Sequence, residues 1–140
     1  MIEGLSHITF VVRDLARTTR LLVDGLGAEE VYASGEETFS IAREKFFLLG
    51  GVWIAAMEGA RAAPRGYDHV AFKVADADLD AYAERLRALG VEIRPPRPRV
   101  PGEGRSLYFY DDDDHLFELH TGTLDARLAA YARGRGGAPS

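Results

Sequence analysis

From Leu5 to Val12 apolar and polar residues alternate with a period of two, which puts His7, Thr9 and Val11 on one face of a strand and Ile8, Phe10 and Val12 on the other. The period then lengthens. Leu15, Thr18, Leu22 and Leu26 recur at roughly helical spacing behind Asp14, which can cap the helix, and Gly27 supplies the stop. Short strands are predicted over Glu30–Ser34, Thr38–Ala42, Lys45–Leu49 and Val52–Met57, the last two joined by Gly50-Gly51 as a hairpin turn. After a linker over Glu58–Arg65, rich in alanine and interrupted by Pro64, the plan returns. His69–Val74 reads as a strand, and Ala77–Leu89 as a helix with the stripe Leu79, Tyr82, Leu86 and Leu89, ended by Gly90. Val91–Arg94, Ser106–Tyr110 and Leu116–His120 read as strands. The prolines of Arg94–Arg105 enforce a loop, a short helix is expected over Leu124–Ala132, and Arg133–Ser140 is expected to be disordered.

The two halves are copies of one plan. Gly4–Asp14 lies over Gly66–Asp76, so His7 corresponds to His69 at an offset of 62 residues (69 − 7). The same offset carries Ala56 onto Glu118 and Glu44 onto Ser106. Each half reads as a β-α-β-β-β unit, giving an α+β protein with a first module and linker over residues 1–62, a second module over 63–124, and a C-terminal helix and tail over 125–140. A unit this small cannot cover its own sheet, so two must pack together.

The repeat changes how three side chains are read. A lone histidine in a strand is more often packed or surface-exposed than a ligand. Two at equivalent positions, with a carboxylate between Phe117 and Leu119 that is costly to bury unless paired, fit an open metal site with its fourth equivalent place left to an alanine. Glu44, in Arg43-Glu44-Lys45, is on its own a hairpin-turn or ion-pair residue, but its place opposite Ser106 lets both flank the metal.

Composition narrows the chemistry further. The 140 residues are 46% hydrophobic, enough for a real core, and the formal net charge is −5, which argues against nucleic-acid or anionic-membrane partners. With no cysteine, any metal must be held by nitrogen and oxygen. The absence of a signal-like leader or long apolar run makes a cytoplasmic location the expectation. Arg97, Arg99, Arg105 and Arg127 offer forked donors suited to a phosphate or phosphonate. Asp111–Asp114 lacks calcium-loop spacing and reads as a polar hairpin turn. His115 and His120 read as structural or exposed, with His120 a minor ligand candidate because it shares the face of Glu118.

These features resemble the vicinal oxygen chelate superfamily, which includes glyoxalase I, extradiol dioxygenases and fosfomycin resistance proteins. Gly4-Leu5-Ser6-His7-Ile8-Thr9, Arg43-Glu44-Lys45-Phe46-Phe47-Leu48, Arg97-Pro98-Arg99-Val100, Gly102 to Asp111 and Phe117 to Leu124 are similar to the FosX-type fosfomycin hydrolases. The resemblance implies a domain-swapped homodimer in which His7 of one subunit joins His69 and Glu118 of the other around Mn²⁺, or another divalent cation. It also implies Mn-dependent addition of water to the epoxide of fosfomycin, giving a diol, with Glu44 as general base. Thr9, Ser106, Tyr108 and Arg127 would line the pocket, with one of Arg97 or Arg99 gripping the phosphonate and Arg99 our choice. The partners are then a small phosphonate epoxide, water and a second copy. Two alternatives stand beside this: a glutathione or bacillithiol transferase acting on the same antibiotic, which needs no water-activating carboxylate, and a drug-sequestering protein without chemistry.

Overall fold

The computed structural model of the chain describes residues 1–36, 42–60, 64–96 and 99–137. Contacts divide it into two compact units, Met1–Arg65 with Asp111–Asp114, and Gly66–Tyr110 with His115–Ser140.

The first unit contains β1 (His7–Val12), α1 (Leu15–Thr19) continuing into a π-helical turn (Arg20–Gly25), β2 (Glu29–Ala33), β3 (Glu44–Leu49) and β4 (Val52–Glu58). Asp14 caps α1 as expected, accepting from the backbone N–H groups of Ala16 at 2.9 Å and Arg17 at 3.2 Å. The helix buries Leu15, Leu21, Leu22 and Leu26, not Thr18. The π turn is the cause. Its wider ring, closed by Leu26 N–H donating to the Leu21 carbonyl at 3.1 Å, brings the adjacent Leu21 and Leu22 onto one face. The sheet runs β1-β4-β3-β2, with β1 parallel to β4 and the other pairs antiparallel. Gly50 and Gly51 both take positive φ, 56° and 78°, and form the tight turn between β3 and β4. Most of the strand predicted over Thr38–Ala42 lies outside the described residues.

The second unit repeats the order with β5 (His69–Lys73), a 3₁₀ turn (Asp76–Asp78) leading into α2 (Leu79–Ala88), β6 (Glu92–Arg94), β7 (Ser106–Tyr110) and β8 (Leu116–His120), in a sheet ordered β5-β8-β7-β6. Its core is built from Leu79, Ala83 and Leu86 of α2 and from Leu107, Phe109, Phe117 and Leu119 of the sheet. Ala83 takes a buried place where Tyr82 and Leu89 are only half-buried. Helix α3 runs from Leu124 to Gly137, so the expected disorder beginning at Arg133 is corrected through Gly137. Arg133, Gly134 and the residues up to Gly137 continue the backbone ladder that Thr123 opens by accepting from Arg127 N–H at 3.0 Å. Among the described residues no helix is long and apolar enough to cross a membrane.

Two β-α-β-β-β units are therefore present, but their register differs from the simple repeat by one residue. Thr9 pairs with Ala55 where Ala71 pairs with Glu118, so the structural counterpart of Glu118 is Ala55, at an offset of 63 (118 − 55), not Ala56. The second hairpin holds one more residue than the first: Leu48 faces Trp53, whereas Tyr110 faces Leu116. Asp114, at φ 64°, lies within that longer turn.

Candidate metal centre and anion site

In the second unit, strand register decides which side chains meet. Ala71 and Tyr108 both pair with Glu118, and Ser106 pairs with His120, so His69, Ser106, Tyr108, Glu118 and His120 project from one face. Val70, Phe72, Leu107, Phe109, Phe117 and Leu119 occupy the other, and burying them fixes the polar set opposite. His69 Nε2 stands 3.1 Å from Glu118 Oε1. His69 Nδ1 lies 2.8 Å from the carbonyl oxygen of Tyr67, which can only accept, so Nδ1 carries a proton and Nε2 is turned toward the carboxylate. At this separation either a proton on Nε2 or a metal ion between the two groups relieves the repulsion between the nitrogen lone pair and the carboxylate oxygen. Two ligands each about 2.1 Å from one ion, at right angles on it, stand about 3 Å apart. The pair therefore fits a divalent metal.

The other carboxylate oxygen is held by a directed chain of donors. Arg127 Nη2 lies 3.2 Å from His120 Nε2 and can only donate, so the His120 proton sits on Nδ1 and is given to Ser106 Oγ at 2.8 Å. Ser106 then donates to Glu118 Oε2 at 2.5 Å. Both ring nitrogens of His120 are engaged, which leaves it no electron pair for a metal. Burial pushes the Glu118 carboxyl up, but hydrogen bonds from Ser106 and Tyr108 and the charge of Arg99 outweigh it, and the net shift is downward. Glu118 is thus favoured as an anion, with Oε2 held by Ser106 and Arg99 and Oε1 turned toward His69. The His120 imidazole is lowered, mainly by burial and also by the neighbouring Arg127 and Arg99 charges. Tyr108 is pushed up to about 12, first by burial, then by its contact with Tyr67 and the charge of Glu118.

Arg99 supplies the positive charge beside this carboxylate. Its Nη2 donates to Ser106 Oγ at 2.5 Å and Tyr108 Oη at 3.0 Å and stands 3.1 Å from Glu118 Oε2, while its Nη1 donates to Glu103 at 3.1 Å. Among the described residues the buried Nε–H of Arg99 has no acceptor, and an anionic group would satisfy it. A cavity of about 350 Å³, lined by Tyr67, Arg94, Pro95, Tyr108, Tyr110 and Leu116, opens beside Tyr108. Arg97 lies outside the described residues. Arg105 is turned elsewhere, onto Asp76 at 2.8 Å and Asp80 at 3.2 Å. Asp111–Asp114 forms the expected turn, and its carboxylates pair with Arg13, Arg17 and Arg65.

In the first unit, the pairings His7 with Trp53, Thr9 with Ala55, Phe46 with Ala55 and Glu44 with Met57 put His7, Thr9 and Glu44 on one face. His7 Nδ1 contacts Ser6 Oγ at 3.0 Å, and its ring lies 4.3 Å from that of Trp53. Glu44 is not in a solvated turn: it begins β3 at only 9% exposure, and its backbone is clipped to Ser34. Among the described residues of a single chain, no three His, Asp or Glu side chains converge to hold a metal ion. His69 and Glu118 stand together in the second unit, and His7 belongs to the first.

The profile of the Glyoxalase/Bleomycin resistance protein/Dioxygenase superfamily matches residues 4–119. The chain belongs to this superfamily. Within it, the chain is 64% identical over 134 residues to the fosfomycin resistance protein FosX of Mesorhizobium japonicum, covering 96% of each chain. It is 36% identical over 138 residues to the metallothiol transferase FosB of Shouchella clausii, covering 95% of this chain and 90% of that one. Its fold superposes with a TM-score of 0.85, at 55% identity and covering 94% of this chain and 99% of the other, on a crystal structure of a variant of Listeria monocytogenes FosX complexed with Mn(II) and 1S,2S-dihydroxypropylphosphonic acid.

Several residues of this superfamily member's site carry no signal of their own in the sequence. Glu103 sits in a Gly-rich loop that reads as solvated, yet it is 1% exposed. Tyr67 enters through its carbonyl, a group every residue has, and Tyr131 through a helix read from periodicity alone. Trp53 is another: its ring lies tilted against His7, which it faces across the sheet, and its buried indole N–H has no partner among the described residues.

Proposed function

We propose that this protein is a metal-dependent epoxide hydrolase that inactivates fosfomycin by adding water across its three-membered ring to give a diol. One observation carries the reading. A relative with 55% identity and the same fold is complexed with Mn(II) and a dihydroxypropylphosphonic acid, the diol that such a hydration leaves, and here the Glu118–His69 pair offers an oxygen and a nitrogen 3.1 Å apart. In this reading His69 and Glu118 of one subunit and His7 of a second hold Mn²⁺, in a homodimer that pairs unlike units across chains. When bound, the ion supplies Lewis acidity toward an oxygen of the substrate.

The remaining work belongs to side chains. Arg99, with its unsatisfied Nε–H, joins the hydroxyls of Ser106 and Tyr108 in binding the phosphonate, and so fixes which epoxide carbon is presented. Thr9 adds a hydroxyl from the face that carries His7. Arg127 acts one step back, through His120. Glu44 takes a proton from water as its oxygen attacks the epoxide carbon. The C–O bond breaks, the ring oxygen leaves with the electron pair and takes a proton from solvent to become the second hydroxyl, and Glu44 returns its proton to solvent. General-base assistance of this kind is worth about 10²–10⁴-fold.

The test is incubation of the Mn²⁺-loaded protein with fosfomycin, with and without added thiol, followed by phosphorus NMR. The diol is expected in both samples. A thiol adduct as the sole product would favour the transferase chemistry that the similarity to a metallothiol transferase keeps in view, and unchanged antibiotic would leave sequestration as the function. Glu44→Gln is expected to lower diol formation by about 10²-fold or more while Mn²⁺ affinity holds; undiminished turnover would remove Glu44 from the reaction.

A further inference from the structure

The most deeply buried acid in the second unit is not one of the metal-site residues. Glu103 is 1% exposed and lies in the loop before β7. Its carboxylate accepts from Arg99 Nη1 at 3.1 Å, from Tyr131 Oη of α3 at 2.9 Å and from the Val100 backbone N–H at 3.1 Å, and Arg127 Nε stands 3.6 Å away. A charge this buried is costly unless compensated, and here two arginines and a tyrosine compensate it. The arrangement has a directional consequence. Arg99 is gripped at one end of its rigid fork, so the other end, Nη2, is aimed at Ser106, Tyr108 and Glu118. Without the anion behind it, Arg99 would be held from the Nη2 side alone, and the neighbouring Arg127 guanidinium would no longer share a counter-charge with it.

We propose that Glu103 is a positioning residue for anion recognition, which orients Arg99 from behind and, through Tyr131 and Arg127, makes helix α3 part of the phosphonate site. The inference deepens the functional reading above and rests on it for the identity of the natural anion. It separates from a purely structural role for Glu103 as a staple of α3, because a staple acts on stability whether or not Arg99 is present, whereas a positioning residue acts on anion binding only through Arg99.

A double-mutant cycle makes the distinction. Glu103→Gln, Tyr131→Phe and Arg99→Ala, with the two pairwise combinations that include Arg99→Ala, are prepared as Mn²⁺-loaded protein. Inorganic phosphate affinity is measured by calorimetry, and KM and kcat for fosfomycin by diol formation. Glu103→Gln is expected to weaken phosphate binding and raise KM about tenfold or more with kcat changed less than about threefold, Tyr131→Phe to act in the same direction by a smaller factor, and both effects to vanish once Arg99 is alanine. Wild-type phosphate affinity in a folded Glu103→Gln protein would overturn the proposal, as would an effect of equal size in the Arg99→Ala background, or a wild-type protein that binds no phosphate. If Glu103→Gln does not fold, the Tyr131→Phe arm of the cycle decides by the same criteria. A wild-type protein that makes no diol would defeat the functional reading alone, since the phosphate measurements still read Glu103.

Discussion

At the residue scale, the chemistry depends on which lone pairs are left over once hydrogen bonds are assigned. His69 has Nε2 because Tyr67 takes Nδ1, and Glu118 has Oε1 because Ser106 and Arg99 take Oε2. His120 has nothing left, which suits it to a supporting place and leaves His69 as the proposed ligand, although both are histidines on the same face. The sequence shows the residue types but not the tautomers, since those follow from partners distant along the chain. Glu118→Gln is therefore expected to lower Mn²⁺ affinity by about 100-fold or more, read by calorimetry or by the EPR signal of the free ion. His120→Ala is expected to cost about 10–100-fold, because it removes only the donor behind Ser106. Equal losses for the two variants would contradict the assigned roles.

At the element scale, apolar periodicity was enough to find nearly every described strand and helix, because each element buries one face and burial imposes its period. β7 and β8 end where the pattern ends, at Ser106–Tyr110 and Leu116–His120. The misses have local causes: a π turn that substitutes Leu21 for Thr18 in the core, and one extra residue in the β7–β8 hairpin that moves the counterpart of Glu118 to Ala55. Phe47 and Phe109, each 0% exposed on equivalent strands, anchor the two cores, and replacing either by alanine is expected to cost about 3–5 kcal/mol in urea unfolding. Beside the site the backbones of two segments touch. A Cβ on Gly122 would lie 2.8 Å from His120 Nε2 and closer still to the carbonyl oxygen of Glu103. Gly122→Ala is thus expected to destabilise by about 1–3 kcal/mol and to weaken phosphate binding as well, whereas an alanine in open space at Gly66 is expected to do neither.

At the scale of the whole molecule, each unit carries its share of the proposed site on one sheet face, and the proposed dimer makes one centre from two chains. That arrangement has a direct consequence in mixtures. His7→Ala and Glu118→Gln dimers, each inactive alone, are expected to recover about a quarter of wild-type diol formation after subunit exchange, because half the molecules become heterodimers in which one of two sites is intact. No recovery, with exchange verified by native mass spectrometry, would contradict ligand sharing between subunits. The sequence by itself determined the two-fold repeat, the strand faces, the residue types able to hold a metal without cysteine, and the equivalence of Glu44 and Ser106 in the repeat, because each is a local or periodic property of the chain. Only the tertiary structure decided that donors around Glu118 favour its anion and turn Oε1 toward His69, that His120 is spent on Ser106, and that Glu103 lies buried behind Arg99. Those outcomes depend on which groups share a low-dielectric space, and residues far apart in sequence settle that only when the strands and α3 come together.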